Sequence, residues 1–255
     1  MNGLLKLGVM RARFLLAIIM LLVAILSILL LESLPMDSEI KKILLDYGTD
    51  YYPITIQNVM WIFFFLGIGE LIYRVAVALS YSKDLALSYL PEDETTMLTT
   101  KDTRELYKKI NREVQRVNDM PSLIKRLILH FQSNQSIAQT HEMLNSQIDL
   151  KYNSMDTQYS MIRYITWVIP TFGFIGTVIG ISMSLSYAGG HDPQASDFLQ
   201  QITSRLGVAF YTTLIALCMS TVLVFMMHVI QSFEEQVLMK LEEYILDNFI
   251  NRLYV

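Results

Sequence analysis

Two stretches of the chain carry hydroxyl and small side chains where a helix facing only lipid would carry apolar ones. From Ile169 the sequence runs IPTFGFIGTVIGISMSLSYAGG, and Gly173, Gly176, Thr177, Gly180, Ser182 and Ser184 each forgo apolar area that a bilayer rewards. Pro170, Thr177 and Ser184 recur every seven residues, close to two helical turns, which places them on one stripe. Gly176 and Gly180 form a small-xxx-small pair that lets a neighbouring backbone come close. The second stretch, from Ile202, reads ITSRLGVAFYTTLIAL, in which Leu206, Thr213 and Ser220 form another seven-residue stripe with Ala209 and Ala216 beside it. Thr212 and Thr221 add further hydroxyls there. Hydroxyls line hydrated paths and hand on hydrogen bonds, but they do not store a proton near neutral pH. Two readings fit these residues: a wall of a pore, or a tightly packed helix pair that conducts nothing.

Neither stretch contains a carboxylate. The one clear intramembrane acid is Glu70, and Arg74 follows at the i,i+4 spacing, so the two are expected to neutralise each other near the inner interface. That pair reads either as an anchor or as a proton carrier. A proton conductor built on the hydroxyl stripes must therefore take its titrating acid from another chain.

No phosphate-binding loop, GxSxG elbow, HExxH or cysteine pair with metal spacing is present, so an enzyme is not expected, and neither is a cofactor or metal. An intramembrane enzyme centred on Glu70 would lack both a nucleophile and a metal. His130, His141 and His228 read as solvated or interfacial, and the lone Cys218 as a small apolar filler.

The elements that must carry these residues follow from hydropathy. With 53% hydrophobic and 17% charged residues, the composition is that of an all-helical, multi-pass membrane protein. Four runs reach membrane length: Phe14 to Leu31, Ile54 to Leu79, about Tyr164 to Tyr187, and about Leu206 to Ile230. Lys6, Arg11 and Arg13 precede the first, while Arg74, Lys83 and Arg163 flank the second and third, which predicts both termini in the cytoplasm. The loops then predicted outside agree, since Glu32, Asp37, Glu39, Asp46 and Asp50 outnumber Lys41 and Lys42 in the first, and the second carries His191, Asp192 and Asp197 against Arg205.

Between the second and third spans lies a charged region with helical periodicity. Leu106, Ile110, Val114 and Val117 make one apolar stripe, with Arg104, Glu105, Lys108, Lys109, Arg112, Glu113 and Arg116 on the other faces. Asp119 and Pro121 punctuate it as a cap and a first-turn proline. Ile124, Leu127, Ile128 and Phe131 then open a helix expected to continue through 132–160 into the third span. Phe233, Val237, Leu241, Tyr244, Ile245 and Phe249 form a last amphipathic stripe. The expected organisation is 1–80 with two spans, 81–161 as a cytoplasmic helical region, 162–231 with two more spans, and 232–255 as a terminal cytoplasmic helix.

The segments IPTFGFIGTVIGI and ITSRLGVAFYTTLIAL resemble the MotA/TolQ/ExbB family of proton-channel proteins over about the last third of the chain. Four spans with a long segment between the second and third look more like MotA than like the three-span branch. The resemblance implies a pentameric ring in the bacterial inner membrane, surrounding a dimeric, single-span MotB/TolR/ExbD-like partner that supplies an intramembrane aspartate. It implies an ion-motive-force stator passing H+ or Na+, with no nucleic-acid partner. Carried over to this chain, Thr177 and Thr213 correspond to the paired threonines that face the partner's aspartate, and Pro170 to the proline that couples ion passage to movement. A second proline found on the last MotA span has no counterpart between Ala209 and Ile230. A non-conducting membrane scaffold is the reading from a different class.

Overall fold

The computed structural model describes residues 2–47, 52–93, 97–113 and 119–254, with side chains except at 2–10, 113 and 119. Seven α-helices run α1 (Asn2–Ser33), α2 (Ser38–Leu45), α3 (Ile56–Leu85), α4 (Thr100–Glu113), α5 (Asp119–Asn134), α6 (Ile137–Gly190) and α7 (Phe198–Asn248), followed by a single 3-10 turn, Ile250–Arg252. No strand occurs among the described residues; Leu98 and Leu253 form one isolated parallel bridge. Within α1, α3, α6 and α7 lie four segments long and apolar enough to cross a membrane. Val114, Arg116 and Val117 of the expected α4 stripe, and Asp50 of the first loop, lie outside the described residues, as does the side chain of Asp119.

The chain divides into two compact units, Met1–Tyr73 with Ser160–His228, and Arg74–Tyr159 with Val229–Val255. In the first, α2 is fastened to its neighbours by side-chain hydrogen bonds. Thr55 Oγ1 donates to Leu45 O at 3.0 Å, Trp61 Nε1 to Leu44 O at 3.0 Å, and Lys42 Nζ to Ser204 Oγ at 3.2 Å. Phe63 and Phe172 join α3 to α6 with ring centroids 5.5 Å apart. The outward faces are apolar: Phe14, Leu22 and Leu26 of α1, Phe174 and Leu185 of α6, and Phe225 of α7 are exposed. Lipid rather than water suits such a surface. Cys218 is exposed on the same kind of surface and fills no internal gap, which corrects the expectation from its type.

In the second unit a continuous core joins Leu127, Ile128 and Phe131 of α5 to Leu144 and Ile148 of α6, to Leu241 and Ile245 of α7 and to Phe249 just after it. Ile110 brings α4 onto it. The expected continuous helix through 132–160 is broken once: Gln135 has φ 48°, and Ser136 caps the new start, its Oγ accepting from Gln139 N at 3.3 Å. At the start of α4 the Asp102 carboxylate reaches back over the first turn, its Oδ2 accepting from Thr99 N at 2.9 Å and from Thr99 Oγ1 at 2.6 Å. The end of the chain is sewn back by Leu98 N donating to Arg252 O at 2.7 Å and Tyr254 N to Leu98 O at 3.0 Å. Arg252 itself donates to the carbonyls of Pro91 at 2.9 Å and Glu92 at 3.2 Å.

Candidate functional site

The site is built on the antiparallel pair formed by α6 and α7 in the first unit. Its precondition is close backbone approach, which the glycines provide. A Cβ added at Gly180 would stand 2.6 Å from the Cβ of Ala209 and 3.0 Å from its Cα, and one at Gly176 2.6 Å from Thr212 Oγ1. Gly173 faces Ala216 in the same way. Three glycines at spacings of three and four therefore meet a shallow strip of Ala209, Thr212 and Ala216, and the helices touch along their backbones.

That contact brings Thr177 and Thr213 together. Their hydroxyls share a short hydrogen bond, and each also reaches a carbonyl of the opposite helix. Gly173 O lies 2.9 Å from Thr213 Oγ1 and 3.2 Å from Thr177 Oγ1, and Ala209 O 3.1 Å from Thr177 Oγ1, as acceptors for whichever hydroxyl proton is not held between the two threonines. Both residues are half-buried, so the pair has an open side.

The other hydroxyls expected on the ion path turn elsewhere. Thr212 is 2% exposed, donates to Ala209 O of its own helix at 2.8 Å and packs on Gly176. Adjacent helical residues point about 100° apart, so Thr212 and Thr213 cannot share a face. Ser184 is buried and donates to Ile202 O at 3.2 Å. Ser220 is buried and donates to Thr166 O at 3.0 Å. These three fasten the helix pair from within instead of lining an open path. Pro170 lies inside α6, half-buried. At the far end of the pair, the Arg205 guanidinium sits 4.8 Å over the ring of Tyr187, on which His191 stacks with centroids 3.9 Å apart.

The expected Glu70–Arg74 pair is replaced by two others. Glu70 accepts from Arg13 of α1 in a short ion pair, with Arg13 also 5.3 Å over the ring of Tyr73. Arg74, in the second unit, is gripped by Glu234 of α7: Nε donates to Oε2 at 3.1 Å and Nη2 to Oε1 in a short contact. Tyr159 Oη donates to the same carboxylate at 3.1 Å, and its ring lies 4.9 Å under the guanidinium. A bidentate partner on another helix outcompetes an i,i+4 neighbour, because the flat guanidinium fork matches a carboxylate edge. Glu234 escaped the sequence reading, although it occupies the core register of the stripe that continues through Leu238, Leu241 and Ile245. A carboxylate in such a register signals a buried partner.

Among the described residues no group of three or more His, Cys, Asp or Glu side chains is placed to hold a metal. Chemically, the α6–α7 site offers two coupled hydroxyls and carbonyl oxygens, with no acid or base of its own. Neither the curated proteins nor the solved structures include a match to this chain. The profile of the MotA/TolQ/ExbB proton channel family matches residues 101–243, taking in α4 and α5 as well as the hydroxyl-bearing pair. That is more than half of the 255 residues, and this multi-pass membrane protein belongs to the MotA/TolQ/ExbB proton channel family, whose members are channel proteins and not enzymes.

Proposed function

We propose that the chain is the ring-forming subunit of an ion-motive-force transducer in a bacterial inner membrane. Five copies surround a dimeric, single-span MotB/TolR/ExbD-like partner whose intramembrane aspartate carries the ion, H+ or Na+, past Thr177 and Thr213. Both termini lie in the cytoplasm. Loading and unloading of the aspartate changes which copy it prefers, and a sequence of such preferences around the ring becomes rotation or work on the cell envelope.

The observation that carries this reading is the open hydroxyl pair between two membrane-spanning stretches, about 164–187 and 206–230, that hold no carboxylate. Thr212, Ser184 and Ser220 close their hydrogen bonds within the helix pair, whereas Thr177 and Thr213 keep a side free for an ion or a partner. The test is proton flux into cells producing the chain with the single-span protein that co-purifies with it. Thr213→Val is expected to cut the flux about tenfold or more while leaving the assembled ring intact. Undiminished flux in that variant would remove Thr213 from the path, and a membrane that stays tight with the wild-type chain would favour a scaffold.

A further inference from the structure

The Thr177–Thr213 contact holds fewer protons than acceptors. The two hydroxyls hold two protons between them, yet the acceptors within reach are each other's oxygen, Gly173 O and Ala209 O. Only one proton can occupy the short line between the two oxygens. Two orders of donation therefore satisfy the pair. In one, Thr177 donates to Thr213 and Thr213 to Gly173 O, leaving the Thr177 oxygen as an open acceptor. In the other, Thr213 donates to Thr177 and Thr177 to Gly173 O, or to Ala209 O beside the hydroxyl of Thr212, leaving the Thr213 oxygen open. Exchanging them needs only hydroxyl rotation, since every heavy atom keeps its place.

We propose that Thr177 and Thr213 work as one reversible hydroxyl pair whose direction of donation reports the charge of the carboxyl group that faces it. This rests on the channel reading above. A neutral carboxylic acid donates its proton into the pair, and the chain of donors ends on a backbone carbonyl. An ionised carboxylate accepts instead, so the nearer hydroxyl turns outward to it and the farther hydroxyl donates to the nearer. Direction therefore reverses between the loaded and unloaded states, with no covalent bond made or broken on either threonine. Because hydrogen bonds to a charged acceptor are the stronger kind, the pair favours the ionised acid only while both hydroxyls are present.

A hydroxyl at both positions is then required, and the two contributions do not add. Proton flux is measured for the chain co-produced with its co-purifying single-span partner, comparing Thr177→Val, Thr213→Val, the double Val variant, and Thr→Ser at each position. Either Val variant is expected to lose flux roughly tenfold to a hundredfold, the double variant no more than either single, and both Ser variants to retain flux. A single Val variant with full flux, or losses that multiply in the double variant, would overturn the pair while leaving the channel reading standing. Absence of flux from the wild-type complex would overturn both. Where a Val variant does not assemble, Thr→Cys at that position is read in its place: the thiol is a weak donor, so reduced flux supports the pair and undiminished flux overturns it.

Discussion

Ser220 repairs what Pro170 breaks. Proline has no N–H, so the carbonyl four residues earlier in α6, that of Thr166, loses its helical donor. Ser220 Oγ, on α7, donates to that carbonyl at 3.0 Å. A Pro inside a membrane helix is tolerated where a neighbouring Ser or Thr satisfies the freed backbone group. Ser220→Ala is expected to cost about 1–3 kcal/mol by leaving a buried acceptor unmade. The cost is expected to shrink in a Pro170→Ala background, where the backbone regains its own donor. A double-mutant cycle on thermal unfolding in detergent measures the coupling.

Arg74 and Glu234 make the second prediction. Their side chains are 1% and 5% exposed, so either charge left alone would be stranded. Arg74→Ala or Glu234→Ala is expected to cost about 3–5 kcal/mol, whereas Arg74→Met with Glu234→Leu is expected to be close to neutral, as buried pairs often are when replaced together by apolar side chains. Unfolding of the four forms under one set of conditions checks this. Equal losses in the single and double variants would show that Tyr159, which donates to Glu234, and Gln158, whose Oε1 accepts from Arg74 Nη1, hold these helices and the charge pairing does not.

The glycine approach gives a third. At Gly180 the obstacle to a methyl group is the Ala209 backbone, 3.0 Å away at Cα and 3.1 Å at N, which cannot swing aside as a side-chain tip would. Gly180→Ala is expected to cost about 1–3 kcal/mol through forced separation of α6 and α7. Ala209→Gly in the same chain removes only the Cβ contact, so rescue is expected to be partial. Unfolding temperatures of the three variants decide it.

Acid pH supplies the fourth. Hydrogen bonds from the Thr99 hydroxyl and backbone N–H hold the Asp102 carboxyl below its ordinary value of 3.8. A carboxyl lowered on folding stabilises the fold above its unfolded value and gives up that contribution as pH falls through its folded value. The start of α4 is therefore expected to fray on acidification below about pH 3.8, and Asp102→Asn to lose this pH dependence. Amide hydrogen exchange at Thr99 across that range reads the effect.

Much of this was legible in the sequence, because long apolar runs and seven-residue hydroxyl stripes are local patterns. The Thr177–Thr213 contact needed only two helices in antiparallel register and glycines to bring them close. What escaped was partner choice over long sequence distances. The spacing of Glu70 and Arg74 offered a local pair, but Arg13 and Glu234 lie 57 and 160 residues away from the residues they hold, and periodicity carries no such information. Stripes likewise do not separate open hydroxyls from closed ones: Ser184, Ser220 and Thr212 have the same types as Thr177 and Thr213, yet each spends its proton on a carbonyl inside the helix pair. The break at Gln135 was hidden because a polar run gives no hydrophobic period to interrupt.

The uncovered apolar faces bear on how the polypeptide can be made and handled. Phe14, Leu22, Leu26, Phe174, Leu185 and Phe225 offer bulk water nothing to bond to, so the nascent chain has to enter the insertion machinery before these residues are released into the cytosol. After extraction, an amphiphile must occupy those positions continuously; diluting the detergent away would precipitate the protein with its helices still wound.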